Sequence, residues 1–99
     1  MKILKILRKN WLIHRVYKYT LKYNNSLSKA DYYCNLAKCY SDAALCEKRV
    51  YGSYSADYIK FSKSCQEFDF KGNRYKNLAD IYLNKKIDLE EELGYYRKV

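Results

Sequence analysis

Few side chains in this 99-residue chain could do covalent or metal chemistry: a single histidine, His14, four cysteines, Cys34, Cys39, Cys46 and Cys65, and the acidic run Glu90-Glu91-Glu92. A nucleophilic mechanism needs a base within hydrogen-bond reach of an activated hydroxyl or thiol, and His14 has no partner at a meaningful spacing. No glycine-rich phosphate loop is present. No C-x-x-C pair exists, and on a helix Cys39 and Cys46 stand two turns, roughly 10 Å, apart, too far for two ligands of one tetrahedral ion. Three acids in a row read more simply as the first turn of a helix, where they complement its dipole, than as a paired-carboxylate site. The expectation is a protein without catalytic residues, metal or cofactor, whose thiols are reduced.

The elements that must position any other kind of site are helices. There is no proline, and only three glycines interrupt the chain, so nothing in the backbone chemistry forces frequent reversals. Hydrophobic residues make up 48%, too many for a disordered chain, and thirteen residues are tyrosine. A tyrosine hydroxyl must be hydrogen-bonded or left at the surface, which suits edges and grooves; codon bias toward Lys, Asn, Tyr and Ile is the competing explanation.

Charge is unevenly spread. Residues 1–30 hold eight Lys or Arg and no acid, whereas residues 31–99 hold twelve basic and eleven acidic side chains. An electrostatic role is thereby confined to one segment rather than the whole surface.

Residues 1–24 read as an amphipathic helix. Ile3, Leu4, Leu7, Trp11 and Val16 recur at helical spacing, with the basic arm residues Lys2, Lys5, Arg8, Lys9 and Arg15 between them. Asn24 to Ser28 is turn chemistry, with Ser28 as the next N-cap. A second helix places Tyr32, Leu36, Cys39, Ala43, Cys46 and Val50 on one stripe at alternating spacings of four and three. Gly52 is its C-cap. After Gly52, with Ser53 or Ser55 as cap, Tyr54, Tyr58, Phe61, Cys65 and Phe68 repeat the alternation. Folding the chain back at Gly52 sets small residues against aromatic ones and makes Cys39 a neighbour of Cys65. Gly72 and Asn73 mark the next break, and a fourth helix carries Tyr75, Leu78, Ala79 and Tyr82 on one face. A fifth begins at Asp88, with Leu89, Leu93 and Tyr96 as its apolar side and Gly94 tolerated within it.

An internal repeat links the second and fourth helices. Tyr33-Cys34-Asn35-Leu36-Ala37-Lys38-Cys39-Tyr40 and Tyr75-Lys76-Asn77-Leu78-Ala79-Asp80-Ile81-Tyr82 share five residue types at identical offsets, 42 residues apart. This pattern of aromatic, then Leu-small, then Tyr resembles the first helix of a tetratricopeptide repeat. The likeness touches most of residues 17–99, although the period exceeds the family's 34, the inter-repeat proline is missing, and Glu92 stands where a small residue is usual. The resemblance implies an all-α, tetratricopeptide-like stack of antiparallel helical hairpins with about five helices in one domain spanning 1–99. Its first hairpin would cover 29–68, turning near Gly52, and its second 73–99.

That resemblance also implies a short concave groove that holds a peptide or a partner protein, acidic ones included. The groove-facing candidates are Asn35, Lys38, Asp42, Asn73, Lys76, Asn77, Asp80 and Asn84, the asparagines contacting a ligand backbone and the lysines a carboxylate. The expected role is an adaptor. The alternative is a small basic effector acting through residues 1–24, and that segment supports three uses: capping the stack, lying on an anionic membrane, or contacting nucleic acid. Self-association is a further option for filling a short groove. No apolar run approaches the roughly 20 residues that cross a bilayer, and the start is too interrupted by charge for a secretory leader. The cytoplasm, or its membrane periphery, is the expected location.

Overall fold

The computed structural model describes residues 2–98, with side-chain surroundings through residue 94. Among them the chain forms two helices, α1 (Lys2–Tyr51) and α2 (Ala56–Lys98), which pack as a hairpin. The all-helical expectation is met. The expectation of about five helices in a tetratricopeptide-like stack is not: the breaks expected at Asn24–Ser28, at Gly72–Asn73 and at Asp88 all lie inside continuous helix.

The single reversal among the described residues is built as the sequence implies. Gly52 takes φ +87°, a left-handed conformation that costs a glycine least, and its N–H donates to the Lys48 carbonyl at 3.0 Å, closing α1. Ser55 is the N-cap of α2: its Oγ accepts from the Tyr58 N–H at 3.4 Å and donates to Glu47 Oε2 at 3.5 Å.

Two compact units can be distinguished, Leu27–Lys76 around this turn, and Met1–Ser26 together with Asn77–Val99. In the first, α1 contributes Ala30, Tyr33, Ala37, Tyr40 and Ala44, and α2 contributes Tyr58, Phe61, Cys65, Phe68, Gly72 and Tyr75, all buried or half-buried. Spacings of three and four alternate on both helices, the seam of an antiparallel coiled coil. Aromatic rings fill it in alternation. Tyr33 stacks on Phe68 at 6.0 Å and on Tyr75 at 5.6 Å, while Tyr40 stacks on Phe68 at 5.4 Å and meets Phe61 at 6.1 Å. Each ring pair adds about 0.5–1.5 kcal/mol beyond its buried area.

Small residues let the backbones come this close. A Cβ built on Gly72 would fall 2.6 Å from Cys34 Sγ and 3.3 Å from the Cys34 N. Gly72, expected to break a helix, instead sits buried within one, where the facing helix leaves no room for a side chain.

The second unit follows the same spacing with Leu12, Val16, Tyr19, Tyr23 and Ser26 on α1 and Ala79, Tyr82, Lys86, Leu89 and Leu93 on α2. Leu12 and Ala79 are completely buried. Tyr19 meets Tyr82 at 6.1 Å, and Arg8 pairs with Glu92 at 2.6 Å. That pair is exposed and contributes about 0–1 kcal/mol. The expected apolar position Tyr96 lies outside the residues whose side chains are described.

The repeat of 42 residues has a different cause from the one its resemblance implies. Tyr33, Ala37 and Tyr40 lie on the seam of α1 at spacings of four and three, and Tyr75, Ala79 and Tyr82 lie on the seam of α2 at the same spacings. The shared octet records one packing rule used on both helices. It does not record two stacked hairpins.

One face was misassigned. The stripe Tyr32, Leu36, Cys39, Ala43, Cys46, Val50 runs beside the seam, and Tyr32, Cys39, Cys46 and Val50 are exposed. Cys39 therefore does not face Cys65 across the core; the seam positions there belong to Ala37 and Tyr40, and all four cysteines are free thiols.

Candidate functional site

The first turns of α1 present an unusual surface. Ile3 and Leu4 are 73% and 70% exposed, Ile6 and Leu7 more than half, and Trp11 45%. At 100° per residue Ile3, Leu4, Leu7 and Trp11 fall on one side of the helix, away from the side on which Leu12 and Val16 enter the core. The reading in which this segment caps a stack by packing Leu4, Leu7 and Trp11 is corrected for the two leucines, which are exposed, whereas Trp11 keeps one side toward α2.

Arg8 and Arg15 stand beside the apolar side, while Lys2, Lys5 and Lys9 fall on the opposite side of the helix. Lys2, Lys5, Arg8 and Lys9 are exposed, and Arg15 is half-buried. The Arg8 guanidinium, besides its pairing with Glu92, lies 4.4 Å from the Trp11 ring centre, and Arg15 lies 5.6 Å from the same ring. Arg15 continues to Tyr19: its guanidinium is 5.0 Å from that ring and Nη2 donates to the hydroxyl at 3.0 Å. These contacts hold the indole against a positively charged flank, each worth about 0.5–1 kcal/mol at an exposed site. Lys22 and Lys85 also approach the Tyr19 ring, at 5.3 Å and 5.7 Å.

Beside this flank lies an open pocket of about 220 Å³ lined by Trp11, Arg15, Tyr19, Lys85, Asp88 and Leu89. Arg15 Nε is buried there without a hydrogen-bond partner. The surroundings are cationic and aromatic, with Asp88 as the one acid in the lining. Among the described residues, no three of His, Cys, Asp and Glu come together as metal ligands would.

The groove candidates are all at the surface. Asn35, Lys38 and Asp42 lie on exposed positions of α1, and Asn73 and Lys76 on exposed positions of α2, within the unit around the turn. Asn77, Asp80 and Asn84 are exposed on α2 in the other unit, so Asn35 and Asn77 belong to different units. The successive hairpins that would have set these residues along one concave face are not formed by the two helices.

The pocket beside Trp11 escaped sequence reasoning. It depends on Lys85, Asp88 and Leu89 of α2 meeting residues some seventy positions earlier, and the expected helix boundary at Asp88 obscured that pairing. A heptad count carried through Asp88 would have exposed it. No protein-family model matches the chain, and no curated protein or solved structure compared with it is detectably similar.

Proposed function

We propose that this chain is a non-enzymatic, peripheral membrane-binding protein whose N-terminal segment lies in the interface of an anionic lipid surface. The supporting observation is that one short stretch of α1 combines protruding Ile3, Leu4, Leu7 and Trp11 with Arg8 beside them and with Lys2, Lys5 and Lys9 exposed on the polar side of the same turns. An interfacial helix needs that combination: apolar residues that enter the acyl boundary, basic residues that meet lipid phosphates, and an indole at the level between them.

Magnitudes favour lipid over nucleic acid. Each lysine or arginine near an anionic surface contributes about 1 kcal/mol, and each fully buried leucine or isoleucine about 1.5–3 kcal/mol. A duplex phosphate backbone would use the first and leave the second exposed to water. No helix among the described residues is long and apolar enough to cross a membrane, so the segment would lie on the surface. Reading the chain as a peptide-binding adaptor through a concave groove is not carried forward, because its two helices form no stack of hairpins.

Sedimentation with vesicles tests this. The protein should pellet with vesicles containing phosphatidylserine, much less with pure phosphatidylcholine, and less with either as salt screens the charges. Trp11 is the only tryptophan, so its emission should move to shorter wavelength on binding. Leu4→Glu with Leu7→Glu should lower partitioning by at least about a hundredfold, since two leucines are withheld from lipid. Binding that ignores both the lipid charge and this double variant would refute the assignment, as would stronger retention on duplex nucleic acid than on vesicles.

A further inference from the structure

The pocket beside Trp11 is small and carries charge of both signs. At about 220 Å³ it falls below the roughly 300–1,000 Å³ of sites for drug-sized molecules, so it suits a small polar group. Arg15 and Lys85 bring two cations to the lining and Asp88 one anion, while Trp11, Tyr19 and Leu89 supply apolar wall. Among the described residues none of these three charged groups is in an ion pair. All six lining residues belong to the unit that holds both chain ends, and Trp11 borders both the pocket and the apolar side of the arm.

Arg15 is set in place before a ligand arrives. Its guanidinium lies 5.0 Å from the Tyr19 ring centre and 5.6 Å from that of Trp11, and its Nη2 is anchored on the Tyr19 hydroxyl at 3.0 Å. Its Nε is shut away from water without a partner. A cation held this way and partly desolvated attracts an anion more strongly than a freely swinging side chain does, and loses less freedom on binding.

We infer that the pocket holds the headgroup of phosphatidylserine, a phosphodiester carrying an α-amino acid. That headgroup has two anionic groups, the phosphodiester and the carboxylate, and one ammonium, the complement of the two cations and one acid in the lining. The net charges, one positive in the lining and one negative in the headgroup, cancel. Other headgroups leave a charge unmatched: phosphatidylethanolamine lacks the carboxylate, and phosphatidylglycerol offers no ammonium to Asp88. Selectivity follows from the group each leaves unpaired. The inference rests on the membrane reading above and names the lipid that the surface must contain.

Glycerophosphoserine, the headgroup without acyl chains, separates the pocket from the arm. Its titration should shift the emission of Trp11, the only tryptophan, to saturation. Glycerophosphoethanolamine and glycerophosphoglycerol should each bind at least about tenfold more weakly, as expected for one lost charge-assisted hydrogen bond. Lys85 and Asp88 are exposed, so substitutions there should leave helicity unchanged. Lys85→Met should bring glycerophosphoserine down to the level of glycerophosphoethanolamine. Asp88→Asn should weaken glycerophosphoserine yet leave glycerophosphoglycerol no weaker, a reversal that general attraction of anions does not produce. On vesicles of equal anionic content, phosphatidylserine should retain the protein several-fold better than phosphatidylglycerol, and Asp88→Asn should erase that preference. Leu4→Glu with Leu7→Glu should lose vesicle binding but keep the glycerophosphoserine response, because neither leucine lines the pocket.

No response to glycerophosphoserine, together with equal retention on the two lipids, would overturn the inference and leave the membrane proposal standing. Tightening of both soluble probes by Asp88→Asn would also overturn it. A response to glycerophosphoserine from a protein that ignores phosphatidylserine vesicles would exclude the lipid as the source and refute the membrane reading with it.

Discussion

Replacing Gly72 with leucine is expected to cost about 3 kcal/mol, which for a chain of this size lowers Tm by about 12–24 °C. The reason is local and severe. The first carbon added at Gly72 would stand 2.6 Å from Cys34 Sγ, with the Cys34 amide nitrogen at 3.3 Å and the Ala30 carbonyl oxygen at 3.4 Å. A cysteine side chain can rotate aside, but two backbone groups of α1 cannot without opening the seam, and the stacked rings of Tyr33, Phe68 and Tyr75 next to it would lose their fit. Alanine is the informative smaller step. Gly72→Ala regains about 1 kcal/mol of helix propensity while making the same first contact, so the net loss should be small. Combining it with Cys34→Ala should remove the worst contact and recover stability. Urea denaturation followed by circular dichroism reads all three variants. A leucine variant with an unchanged midpoint would mean that the helices do not approach at Gly72.

The second large effect is expected at Leu12, the one large side chain that is completely buried among the described residues. In its unit the other large aliphatic seam residues, Val16, Leu89 and Leu93, each keep some surface in water, so that unit depends on Leu12 more than a leucine-rich core would. Leu12→Ala should cost about 2–5 kcal/mol, through lost burial plus the cavity left behind. Its control is five residues away. Leu7→Ala, on the opposite exposed side, should stay within about 0.5 kcal/mol of the parent. Equal losses from the two substitutions would show that Leu7 is packed, and would remove the exposed apolar surface on which the lipid assignment rests.

Much of this was legible in the chain. Gly52 and Ser55 announced the reversal because each does a job few residues can: left-handed backbone at the end of α1, and a hydroxyl that accepts from an orphan amide at the start of α2. The α2 positions Tyr58, Phe61, Cys65 and Phe68 were readable from spacing, as were Tyr75, Ala79 and Tyr82, whereas Tyr54, expected on the same stripe, stands in the turn and is 97% exposed. The number of helices was not. Asn24, Asn25, Ser26 and Ser28 carry turn propensity, yet each costs at most about 0.7 kcal/mol in a helix, and Ser26 and Ala30 continue a seam whose packing outweighs that sum. Gly72 and Asp88 were misread for the same reason.

The face of α1 was ambiguous for a deeper cause. Two parallel stripes, one of Tyr32, Leu36 and Cys39 and one of Tyr33, Ala37 and Tyr40, both satisfy the heptad, and the more aliphatic one is the stripe left in water. Pattern alone prefers the greasier face. The partner helix prefers the face whose alanines let it approach. The basic arm, by contrast, was readable from charge, and only its orientation needed coordinates: Leu4, Leu7 and Trp11 could have turned inward.

A chain with one described reversal also has a preferred order of assembly. Closing the Tyr40–Phe61 layer brings together residues about twenty positions apart, whereas joining Arg8 to Glu92 spans 84. The entropy of closing a loop rises with its length, and contacts distant in sequence form slowly unless nearer ones have already shortened the path. The reversal at Gly52 is therefore expected to form first, with nearer layers closing before distant ones. A substitution that stiffens or misdirects the turn should slow refolding, while one among the terminal layers should chiefly speed unfolding.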